Sequence, residues 1–198
     1  MVVHSRALSY ISGLARRPTA PGAGFTRQGV HAMEWLQEDR TASHNPIDLL
    51  EELVRANDWT FERPSESELM VEVEGRWCGY YLLFIWRVDV GAICFSCHFD
   101  QKTPAQSWPS VYQLIGRINE ALWLGHFDLT SDEGLVMFRH TVLLRGLQGA
   151  SVEQLEDLVD ASVGECERFY PALQMVVWGG CTVDEALSAA LMETAGEA

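Results

Sequence analysis

The pentapeptide Cys94-Phe95-Ser96-Cys97-His98 comes nearest, in residue type and spacing, to a chemical motif. C-x-x-C-H is the attachment pattern of a c-type haem, with paired thiols for the vinyl groups and an imidazole for the iron. Its setting argues against that chemistry. The run 92–99 reads as a strand, and side chains alternate along a strand. Cys94, Ser96 and His98 then share one face while Cys97 takes the other, so the two thiols cannot grip one haem edge or one metal ion. A zinc site needs further ligands at short spacing. Cys78 and Cys181 have no C-x-x-C neighbour, and Cys166 stands alone on a helical stripe. We expect no metal and no cofactor. Five cysteines without framework spacing read as small buried thiols in a reducing compartment.

Other groups suited to chemistry are scattered. Arg139-His140 lies inside an apolar run, and no nucleophile accompanies the histidine as a general base would require. Arg139 shares a strand face with Leu135, Met137 and Leu143, where it would pair with a carboxylate or enter an interface. Glu153, Glu156, Asp157, Asp160, Glu165 and Glu167 line one helix; they read as a solvated face that could dock a basic partner. Asn119 interrupts an apolar helical stripe, and we expect its amide to tie down a nearby loop or turn. The sequence contains no G-x-G-x-x-G, Walker A, H-E-x-x-H, G-x-S-x-G or EF-hand pattern. We expect no catalytic residues and no enzyme. The runner-up reading is a small-ligand sensor or enzyme with a pocket around His98, Arg139 and His140, joined by Cys94.

Composition sets the frame around these residues. The chain has 198 residues, 47% of them hydrophobic and 21% charged, which suits one sizeable globular core. A net charge of −14 disfavours nucleic acid and anionic membranes as partners. No apolar run is long enough for a transmembrane helix, and we expect a soluble cytoplasmic protein. The charge is uneven. Residues 1–33 carry Arg6, Arg16, Arg17 and Arg27 and no acid, whereas the rest sums to −18. Such a segment resembles a transit peptide, or translation starts at Met33 instead of Met1; we favour the second. We expect residues 1–40 to be a disordered or mistranslated extension, 45–180 the domain, and 181–198 a C-terminal helix and tail.

Asn45-Pro46 opens a helix that Asn57 ends in a left-handed step. Strands follow at 59–63, 69–74, 77–86 and 92–99, closely enough spaced for an antiparallel meander. A helix over 108–123 precedes a short strand at 127–129 and a long one at 135–144. Capping boxes at Ser151–Gln154 and Thr182–Glu185 open two more helices, with a separate segment between them started by Pro171. The third strand is apolar on both sides. Trp77, Tyr81, Leu83 and Ile85 form one row; Cys78, Tyr80, Leu82, Phe84 and Trp86 form the other. Both faces need cover, so the first row is our candidate interaction surface. The order predicts an α+β fold, an antiparallel sheet with helices packed on one face.

The blocks Leu114-Ile115-Gly116-Arg117-Ile118-Asn119, Gly125-His126-Phe127-Asp128 and Leu135-Val136-Met137-Phe138-Arg139 show a recognisable pattern. A helix ends in Asn, a short link leads to a G-x-F segment, and a strand ends in an aromatic–Arg pair. Over about residues 45–180 this resembles the YbjN family of bacterial proteins, described as sensory transduction regulators. The resemblance implies a fold like that of type III secretion chaperones, dimers that wrap a partner segment, and it brings no catalytic residue set. We therefore expect a non-enzymatic protein-interaction or regulatory module, a homodimer with a protein partner.

Overall fold

The computed structural model describes residues 45–147 and 149–195, with side chains through Ala190. The expected extension over 1–40 and the last residues of the tail lie outside them. Helix α1 (Pro46–Ala56) starts where Asn45 Oδ1 accepts the Ile47 N–H at 3.1 Å and Pro46 takes the first turn. It buries Ile47, Leu50, Leu53 and Val54. Its far end differs from expectation. Asn57 keeps φ at −93°, and the left-handed step falls on Asp58, at +56°. The Asn57 amide instead donates to Leu53 O at 2.9 Å, which closes the last turn from the side chain.

Six antiparallel strands follow: β1 (Thr60–Ser65), β2 (Glu68–Glu74), β3 (Gly79–Arg87), β4 (Ala92–Lys102), β5 (His126–Leu129) and β6 (Leu135–Leu143). Their order in the sheet is β1-β2-β3-β4-β6-β5. β1 carries Pro64 within a register slip between Glu62 and Ser65. Arg63 joins it to α1 through Glu51 at 2.5 Å and Asp48 at 2.6 Å.

β3 begins at Gly79, two residues later than its apolar pattern predicts. Gly75 N–H closes on Cys78 O at 3.0 Å, so Trp77 sits in the connecting bend, 40% exposed, beneath the Arg76 guanidinium. Glu167 reaches over from a later helix to accept the Arg76 N–H at 2.6 Å. A side chain at Gly75 would collide with that carboxylate and with the Tyr80 ring. β4 outlasts its expected end at Phe99 by three residues, after a register slip past His98.

Helix α2 (Trp108–Asn119) stops four residues short of the expected Trp123, which is 78% exposed. The reason is Asn119. Its amide donates to Phe127 O at 3.0 Å and accepts the Phe127 N–H at 2.8 Å, so it stands in for a neighbouring strand. Tyr112 OH donates to Leu129 O at 3.4 Å, and Asp128 Oδ1 accepts the Leu129 N–H at 2.9 Å. Gly125, at φ +62°, makes the turn into β5; a Cβ there would strike the Phe138 ring and Arg139 O.

Helix α3 (Val152–Val177) is continuous, where Pro171 was expected to start a separate segment. Proline normally breaks the intrahelical ladder. Here Phe169, Tyr170, Ala172 and Leu173 are all buried around it, and their packing holds the axis together. Both capping boxes form, at Ser151–Gln154 and at Thr182–Glu185, the latter opening α4 (Val183–Ala195).

The described helices pack on one face. Tyr80, Leu82 and Phe84 of β3 join Phe95, Cys97 and Phe99 of β4, Phe138 of β6 and Phe127 of β5 in a core with α1, α2, α3 and α4. Phe127 is its aromatic hub, with ring centroids 5.5 Å from Phe138, 6.1 Å from Phe169 and 6.4 Å from Phe99. The fold is α+β, a mostly meandering antiparallel sheet under one layer of helices. Because Asn119 satisfies both backbone groups of Phe127, Asn119→Ala should lower unfolding stability by about 2 kcal/mol in urea titration. Asn119→Asp keeps the acceptor and should lose about half as much.

Candidate interaction face

Alternation along β3 turns Tyr81, Leu83 and Ile85 away from the helices, and antiparallel register lines them up with partners on every neighbouring strand. One row reads Thr60, Glu72, Tyr81, His98, Met137, Asp128. The next reads Glu62, Met70, Leu83, Ser96, Arg139, His126. A third holds Glu68, Ile85, Cys94 and Thr141. Apolar groups of β2, β3 and β6 flank Ser96 and His98 of β4, and the β1–β2 side is rich in carboxylates. Leu83 is 6% exposed and Met137 1%, yet both stand apart from the helix-side core. Tyr81, Ile85, Met70 and Cys94 are half-buried around them. Of the four residues expected to form an interaction surface, Tyr81, Leu83 and Ile85 share this face, and Trp77 lies beyond the strand.

A polar pair sits at the centre. Ser96 Oγ and His98 Nε2 are 2.8 Å apart. His98 is only 2% exposed, and its Nδ1 has no hydrogen-bond partner among the described residues. Burial, with the Arg139 charge second, pulls the imidazole down to about 4, so it is neutral at pH 7. A hydroxyl beside an imidazole is the nucleophile–base geometry of covalent catalysis. Here no described group orients the ring through Nδ1, and a base with so low a pKa is weak at neutral pH. Arg139 is engaged by Asp128, at 3.2 Å on the same face.

The residues of the pocket reading do not converge. His98, Cys94 and Arg139 share the outer face, but His140 pairs in register with Phe95 and turns to the helix side. Consecutive strand residues point to opposite faces, so Arg139 and His140 cannot serve one site. Burial lowers the His140 pKa, with the nearby His126 charge adding to it. Cys94 and Cys97 likewise part: Cys97 is fully buried in the core, with its sulfur 3.5 Å from Cys166 Sγ. The Ser96–His98 contact follows from the i, i+2 spacing that puts both side chains on one face. The Cys97–Cys166 contact joins residues 69 apart, and no local pattern announces it. Among the described residues no helix is long and apolar enough to cross a membrane, and no group of three or more His, Cys, Asp or Glu is placed to hold a metal.

Compared with known proteins, residues 46–175 match the model of the family described as "YbjN: Putative bacterial sensory transduction regulator". Among solved structures the chain is similar to the crystal structure of YbjN from E. coli, described as "a putative transcription regulator". The two are 13% identical, with a TM-score of 0.45, over 74% of this chain and 93% of that one. No curated protein matches the chain.

His98 gives the face a measurable signature. Its folded pKa, about 4, lies below the ordinary 6.5 of the unfolded chain. The unfolded state therefore takes up the proton first, and stability is lost as pH falls from about 6.5 to about 4. The loss should be about 3 kcal/mol in urea titrations across that window. His98→Gln should flatten that part of the profile.

Proposed function

The chain belongs to the YbjN family, and on that premise we propose that it is a non-enzymatic cytoplasmic regulator that works by binding protein through the face of its sheet opposite the described helices. The observation that carries this reading is the second apolar band, Met70, Leu83, Ile85, Leu135 and Met137, on strands whose other side already holds the core. An apolar band beside a carboxylate-rich margin suits protein recognition better than catalysis. The family is described as a "putative bacterial sensory transduction regulator". A chain of net charge −14 would fill such a role through a protein partner, since DNA repels it. The five cysteines are free thiols, which suits a reducing cytoplasm.

The first partner we propose is a second copy, each protomer presenting the half-buried Met70, Ile85 and Cys94 at the margin of this band about a two-fold axis. Light scattering on the full chain at micromolar concentration should return the mass of a dimer. Because two acidic protomers repel, added salt should tighten it. Ile85→Glu should weaken it by at least about tenfold with the far-ultraviolet spectrum unchanged. A monomer at every concentration, indifferent to Ile85→Glu, would overturn the reading.

A further inference from the structure

We propose that Cys97 and Cys166 form a redox-sensitive staple between β4 and α3, and that its closure is felt on the outer face of the sheet. The two residues are 69 apart in sequence, and the Cys166 thiol donates to Cys97 Sγ at 3.5 Å. Both are fully buried. A disulfide holds its sulfurs about 2.0 Å apart, so closure needs an approach of about 1.5 Å. That approach would come from rotation at both side chains and a shift of α3 on the sheet. Of the other thiols, Cys78, Cys94 and Cys181 are half-buried, and none has a sulfur partner among the described residues.

A peroxide supplies the oxidant. One cysteine sulfur attacks a peroxide oxygen, the O–O bond breaks, and a sulfenic acid and water form when the peroxide is hydrogen peroxide. The second sulfur then attacks the sulfenic sulfur. The S–O bond breaks, the S–S bond forms and a second water leaves. Two electrons pass from the sulfurs to the peroxide, and both thiol protons end in the waters. Burial raises the Cys166 thiol well above its ordinary pKa, so little thiolate is present. The pair therefore answers sustained oxidation that outlasts local opening of α3, and it ignores a brief pulse.

β4 carries the signal across the sheet. Cys97 points into the core, while its chain neighbours Ser96 and His98 emerge on the other side, joined at 2.8 Å. Drawing Cys97 toward α3 displaces the backbone that sets this pair. Its use as a regulatory input rests on the function proposed above; the chemistry of the pair does not.

The test treats the reduced full chain with hydrogen peroxide, maps disulfides by mass spectrometry in each oligomeric fraction, and follows alkylation of Cys94. We expect loss of two hydrogens, a Cys97–Cys166 linkage reversed by dithiothreitol, a higher thermal midpoint, and a change in the Cys94 alkylation rate of at least about threefold. Cys97→Ala should abolish the linkage, and Cys94→Ala, measured by mapping alone, should retain it. No linkage, or one confined to Cys78, Cys94 or Cys181, overturns the staple. A linkage with an unchanged Cys94 rate overturns its transmission. A chain that is monomeric but stapled would sink the dimer reading and leave this one standing.

Discussion

Apolar side chains stand on both faces of β3, and the rest of the structure answers to that. A sheet with one dry side asks for one layer of cover; a strand reading Tyr80-Tyr81-Leu82-Leu83-Phe84-Ile85 asks for two. The described helices supply the first. Their stripes converge on Tyr80, Leu82, Phe84, Phe95 and Phe99, and the aromatic hub at Phe127 extends that layer to the far strand. Position within the sheet follows from the same demand. The doubly apolar β3 lies inside the sheet, and strands with a wet side, β1 and β2, lie toward one margin.

The two faces differ in polarity, and that difference separates their roles. The helix side is filled with aliphatic and aromatic groups and two thiols. The other side mixes an apolar centre with a hydroxyl–imidazole pair, an Arg139–Asp128 ion pair and a margin of glutamates. Buried polar groups add little to affinity but are selective about what lies beside them, because an unmatched donor or acceptor is costly. A face of this kind discriminates among apolar partners in a way that a uniformly greasy one does not.

Much of the fold was legible in the sequence. Alternation gave the strands and the faces of Tyr81, Leu83 and Ile85; caps gave the helix starts; a polar residue in an apolar stripe gave the tie at Asn119. The failures have a common physical origin. Trp77 left its strand because Glu167, ninety-one residues on, holds the bend at Arg76. Pro171 failed to start a separate segment because four buried neighbours carry the helix through it. Trp123 continued the stripe on paper, but Asn119 had already committed its amide to Phe127. Arg139 and His140 were grouped by adjacency, which in a strand guarantees separation. In each case a contact distant in sequence, or the plain alternation of a strand, outweighed a local signal.

The side-chain amide of Asn119 has one more consequence. In β5 the backbone groups that point away from β6 belong to Phe127 and Leu129, and Asn119, Asp128 and Tyr112 occupy them. At the opposite margin, β1 offers Pro64, which has no N–H, inside a broken register. Pro64 therefore blunts one rim and side chains cap the other, and each disfavours strand addition there, the route by which exposed edges recruit extended peptides and seed fibrils.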